Sequence, residues 1–128
     1  MSQHNTTQSE LLEAMIHADY STLPAVKALI KANRIDCTPL VRTEGLTFDG
    51  LRELARHPLV TIGGHTTTHI NLAQAPADVV EYELRDNRAF LEEIIQKPVV
   101  HFAYPFGDAD ACGEREARIA ESAGFRSA

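Results

Sequence analysis

Leu59-Val60-Thr61-Ile62-Gly63-Gly64-His65-Thr66-Thr67-Thr68-His69 decides how this chain is read. Its first half is apolar and β-branched, and it stops at a Gly-Gly pair where a strand can turn tightly. Two histidines follow, four residues apart. At that offset two imidazoles lie one above the other on a helical turn, and both can face one ion. Parallel α/β folds carry their chemistry at the open end of a strand. The three threonines are poor helix formers, but their hydroxyls can fix a short turn. The stretch reads as a metal half-site, His65 and His69, at a strand-to-loop junction. The plainer alternative is a pair of polar loop residues. It is not the zinc-protease pattern, because no glutamate follows His65.

Working outward, Val99-Val100-His101-Phe102-Ala103-Tyr104-Pro105-Phe106-Gly107-Asp108 repeats the theme of an apolar strand running into a Pro- and Gly-containing turn. Between the two segments the spacing predicts a helix over 77–96. Val80, Leu84, Leu91 and Ile95 share one face, Phe90 and Ile94 flank it, and Glu81, Arg85, Asp86 and Glu93 point outward. A last helix is predicted over 114–122, with Gly124 as its C′ glycine. Upstream, residues 1–8 read as a disordered stretch and Ser9 caps a helix through Ile16. Residues 23–32 form another helix, 36–45 a loop, and Thr47 caps a helix that Pro58 ends. Strands are expected at 59–63 and 99–103, with a third starting near the last residues. Such a run of βα units implies parallel neighbours with right-handed crossovers. The fold class is α/β, a parallel βαβαβ unit preceded by short helices, with both motifs on one rim.

Together the two segments resemble the polysaccharide deacetylase (NodB-homology) family, carbohydrate esterases that remove N-acetyl groups from sugars. His65, Thr66 and His69 match its His-Ser/Thr-x-x-His motif. Ala103-Tyr104-Pro105-Phe106-Gly107 aligns with its third motif, Ala103 and Tyr104 standing where an arginine and a proline are usual. The stretch from Leu46 to Leu54 and Ala123-Gly124-Phe125-Arg126 also look like family sequence. The resemblance implies a distorted (β/α) barrel, of which residues 9–128 would be a partial domain, truncated at both ends. It also implies a divalent metal, most commonly zinc, held by His65 and His69 with a carboxylate. The Phe106 backbone N–H would stabilise the oxyanion, and Tyr104, Pro105 and Phe106 would line the groove for an N-acetylated carbohydrate. The implied activity is hydrolysis of a non-peptide carbon–nitrogen bond, deacetylating a polysaccharide or amino sugar.

Parts of the family pattern have no match. Thr47-Phe48-Asp49-Gly50 imitates the first motif with one aspartate lost, but Asp49 precedes His65 too closely and sits in helix-start chemistry. The late Leu-x-His segment has no counterpart. Base, acid and third ligand are thus unassigned, so the alternative is a non-catalytic structural or interaction fragment with at most a weak metal half-site. Arg115 is a candidate replacement for the missing arginine, or else a solvated helix residue. His101 reads as a packing or surface residue, and His4, His17 and His57 as incidental.

Composition narrows the partners. The chain has 128 residues, 44% hydrophobic, with a formal charge of −6. That size buries about two-thirds of the unfolded surface if complete, and the charge argues against nucleic acid or an anionic membrane as partner. Cys37 and Cys112 lack a metal or disulfide spacing and read as thiols. No stretch is long enough to span a bilayer. The polar start lacks the apolar core of a signal peptide, which makes the cytoplasm the default location. Three strands cannot close a barrel, so exposed sheet edges make self-association an expectation.

Overall fold

The computed structural model describes residues 23–34, 36 and 38–128. The expectations for residues 1–8, the helix after Ser9 and Cys37 lie outside the described residues. The elements are α1 (Leu23–Ala32), α2 (Thr38–Glu44), α3 (Phe48–Arg56), a 3-10 turn (Leu72–Gln74), α4 (Ala77–Ile95) and α5 (Glu114–Ser122).

Residues 38–44 are helical where the sequence predicts a loop. Asp36 accepts the Thr38 N–H at 2.9 Å, and Pro39 falls in the first turn, where its missing N–H is no loss. The Thr38 hydroxyl and N–H hold the Asp36 carboxyl below its usual range. α3 begins as its capping chemistry dictates: the Thr47 hydroxyl accepts the Gly50 N–H at 3.1 Å. Asp49 lies in the first turn and pairs with Arg52 at 2.7 Å, its side chain 94% exposed. α3 buries only Ala55. It leans on α4 through the Phe48 and Phe90 rings, edge to face at 5.9 Å, and through Arg52 Nε, which donates to Ile94 O.

The expected strands are reduced to contacts of single residues. Gly64 pairs with Phe102 and His101 with Ser127, both in parallel sense. The hydrogen bonds are Gly64 N to His101 O (2.8 Å), Ala103 N to Gly64 O (2.9 Å), Phe102 N to Ser127 O (2.9 Å) and Arg126 N to Val100 O (2.8 Å). The 99–103 segment therefore lies between the other two, and the parallel adjacency holds. Residues 59–63 form no strand, which corrects the sequence reading. Leu59 is 89% exposed and sits in a turn after α3. β-propensity records how well a side chain packs on a half-buried pleated surface, and here only Val60 and Ile62 are half-buried while Leu59, Thr61 and Gly63 stay exposed.

One face of the three segments is packed. Val99, Phe102 and Phe125 meet Val80 and Leu84 of α4 and Ala120 of α5, with Ala123, Ile70, Leu72 and Ala75 completing the core. Leu72, Leu84, Val80 and Val99 are fully buried. At about 1.5–3 kcal/mol for each large apolar side chain buried, this cluster is the main source of stability. α5 ends in a Schellman motif: Phe125 N donates to Ala120 O at 3.1 Å and Gly124 N to Glu121 O at 2.9 Å. Gly124 takes the left-handed conformation this end requires, at φ +91°. The cap turns the chain straight into its pairing with Val100, and Arg88 closes it by donating to Ala123 O at 2.6 Å.

Candidate functional site

The Gly63-Gly64 pair does not make the tight turn its composition invites. Gly64 is a close-approach glycine: an added Cβ would lie 3.0 Å from Phe102 Cδ2, 3.1 Å from Asn87 Oδ1 and 3.1 Å from Phe125 Cζ. The turn comes later and on the wrong residue types. Thr66 and His69 both take positive φ, +64° and +56°, at a cost of about 1–3 kcal/mol each. The segment is a loop, so the histidines do not stack on a helical turn. They meet edge to face, with ring centroids 4.8 Å apart at 75°.

This bent loop is held from below by α4. Glu83 is 4% exposed, and its Oε2 accepts the Thr67 N–H (2.8 Å) and the Thr68 N–H (2.9 Å). Its Oε1 accepts the Thr68 hydroxyl at 2.6 Å. One turn on, Asn87 Oδ1 accepts the His65 N–H at 3.0 Å. Buried Thr66 takes the His69 N–H on its hydroxyl at 2.9 Å. The sequence reading missed Glu83 and Asn87. The available signal was that positions 83 and 87 fall on the same helical stripe as Val80, Leu84 and Leu91, so a polar residue there faces inward.

The His65 ring is oriented through its other edge. Nδ1 lies 2.8 Å from Ala103 O, and a carbonyl can only accept, so Nδ1 carries the proton. Nε2 is left as a lone-pair donor, the arrangement a metal-ligating imidazole adopts. His65 thus ties the first segment to the start of the aromatic loop. Phe106 stands on the same rim, its ring 5.1 Å from that of His69 at 83°. Phe106 has φ +67°, and Gly107 N bonds back to Pro105 O at 2.9 Å, the strained γ-turn geometry. Among the described residues, the Phe106 N–H meets no acceptor. Pro105 is fully buried beneath it. A groove of about 520 Å³ runs past His65, bounded by Thr61, Gly63, His101 and Ala103.

Tyr104 is turned away from the histidines. Its ring meets Phe102 at 5.1 Å, and it lines a separate cavity of about 680 Å³ with Cys112, Ala117 and Phe125. Its hydroxyl is buried with no hydrogen-bond partner among the described residues. Burial, with Cys112 and Glu116 nearby, raises the phenol above its ordinary 10.0. Arg115 is no substitute for the missing arginine. It bonds the buried Glu116 at 2.5 Å and donates to the carbonyls of Leu72 and Ala75, both at 2.9 Å. His101 is exposed and meets Ser127 Oγ at 2.7 Å. Asp49 is committed to Arg52.

His65 and His69 are two nitrogen donors of the type a divalent ion takes, and they would be the residues to hold one. Among the described residues, no third histidine, cysteine or carboxylate joins them in a cluster able to hold a metal, one short of the usual catalytic set.

Comparison with known families adds one finding. A family model described as polysaccharide deacetylase matches residues 20–128. No curated protein and no solved structure matches the chain.

Proposed function

The chain belongs to the polysaccharide deacetylase family, and from that premise we propose that it serves metal-dependent removal of N-acetyl groups from a polysaccharide or amino sugar. The observation that carries this reading is the convergence of His65, His69 and Phe106 on one rim, with His65 Nδ1 already spent on Ala103 O. His65 and His69 would hold the ion, zinc by donor type. When bound, it would supply Lewis acidity to the amide carbonyl. The Phe106 N–H, fixed by its γ-turn and unmatched by any described acceptor, is available to a developing oxyanion. The Phe106 ring over buried Pro105 offers an apolar wall to a pyranose face.

A second reading has its own support. With two donors and no third in a cluster among the described residues, the chain could act as a non-catalytic fragment with a weak half-site. Zinc calorimetry and acetate release from N-acetylglucosamine oligomers separate the two. The deacetylase reading expects zinc heat that His65→Ala and His69→Ala abolish, and zinc-dependent acetate release that His69→Ala also abolishes. Zinc binding with no acetate above the protein-free blank selects the non-catalytic reading. Identical heats for wild type and His65→Ala remove the metal from both.

A further inference from the structure

We propose that Glu83 is a positioning residue for the histidine pair, setting metal affinity without touching the metal. The inference rests on the metal-binding reading above. A carboxylate this buried is costly unless its oxygens are matched, and among the described residues no cation pairs with it. Its matched donors all come from the loop between the two histidines: Thr67 N–H, Thr68 N–H and the Thr68 hydroxyl. With Asn87 on His65 N–H and Thr66 on His69 N–H, four of the five backbone N–H groups from His65 to His69 are fixed. That leaves the backbone no way to relax from the left-handed conformation at Thr66 and His69. A helix-stabilising glutamate would spend its oxygens on its own helix or on solvent. This one spends them on the segment whose bend brings the imidazoles within 4.8 Å.

Residues that orient metal ligands typically contribute about 10–100-fold in affinity. Removing Glu83 would orphan both N–H groups, and a glutamine could still accept both with its amide oxygen while its NH2 meets the Thr68 hydroxyl.

The test uses the untagged 128-residue chain and zinc ion alone. Glu83→Ala should weaken zinc binding about 10–100-fold, with Glu83→Gln within a few-fold of wild type. In metal-free protein, nuclear Overhauser contacts between the His65 and His69 rings should be present in wild type and Glu83→Gln and lost in Glu83→Ala. Thr68→Val removes only the hydroxyl contact and should fall between the two in affinity, which keeps the test open if Glu83→Ala does not fold. Equal affinity in Glu83→Ala and wild type, or a Glu83→Gln as poor as Glu83→Ala, overturns the proposal. Should wild type bind no zinc, the metal reading falls by itself, and the ring contacts still decide whether Glu83 holds the pair.

Discussion

The two loops that meet at the rim are built by different means. The histidine loop is bent at two left-handed residues and is gripped by side chains of another element, Glu83 and Asn87 of α4. The aromatic loop is bent at Phe106 and is held by its own backbone, through the γ-turn across Phe106 and the turn at 108–112. Its links to the rest end on its own carbonyls: Ala73 N donates to Ala111 O at 3.2 Å, Asn71 Nδ2 to Asp110 O at 3.3 Å and His65 Nδ1 to Ala103 O at 2.8 Å. The lesson is about where each loop is vulnerable. Damage to α4 should disorganise the histidine pair and spare the Phe106 N–H, whereas damage around Tyr104 should do the reverse.

The largest effect is expected at Gly64, where the histidine loop enters. Gly64→Ala must displace Phe102, Asn87 or Phe125, an overpacking cost of about 1–3 kcal/mol. Urea unfolding should show it, and zinc affinity should fall with it. An unchanged midpoint would mean that the grip from α4 is looser than the contacts imply. Asn87→Ala is the milder version. Losing the acceptor of the His65 N–H should cost about 1 kcal/mol and loosen the imidazole, visible as faster amide exchange at His65 with none at Gly107.

The aromatic side should respond in the opposite direction. Tyr104→Phe deletes a buried hydroxyl that has no described partner, so it should stabilise by about 1 kcal/mol; a lower melting temperature would refute that. Burial, then Glu116 and Asp108, also raises the Cys112 thiol above its ordinary 9.0. Folding raises both acids, so their contribution is fully present below the unfolded values and is lost as pH rises through the folded ones. Melting temperature should therefore decline from about pH 9 upward, less steeply in Tyr104→Phe. The smallest effect is expected at Asp49. An exposed i,i+3 pair contributes about 0–1 kcal/mol, and Asp49→Asn should leave zinc affinity unchanged.

Helices were legible in this sequence because capping and period act locally. α1 and α5 fall where predicted, α4 ends one residue early, and Thr47 caps α3. α2 was hidden because Pro39 reads as a loop signal unless it is placed inside a first turn. The strands were less legible because pairing depends on neighbours that a local window does not contain. Gly63-Gly64 looked like a turn for the same reason: nothing local says that Phe102, Phe125 and Asn87 will crowd that backbone. The paired histidines and the aromatic turn could be read from their motifs. Their support could not, because Glu83 looks like any solvated helix charge until the stripe it interrupts is traced.

Arg115 has a consequence for ionic strength. Its guanidinium joins the 3-10 turn after the histidines to the start of α5 through neutral carbonyls and one buried carboxylate. Exposed pairs such as Arg85 with Glu81 and Arg118 with Glu114 are open to counterions, and salt near 1 M shrinks the Debye length to about 3 Å. Bonds to carbonyls gain nothing from long-range charge and lose little to its screening. Brine should strip this protein of its surface ion pairs while leaving the 3-10 turn fastened to the start of α5.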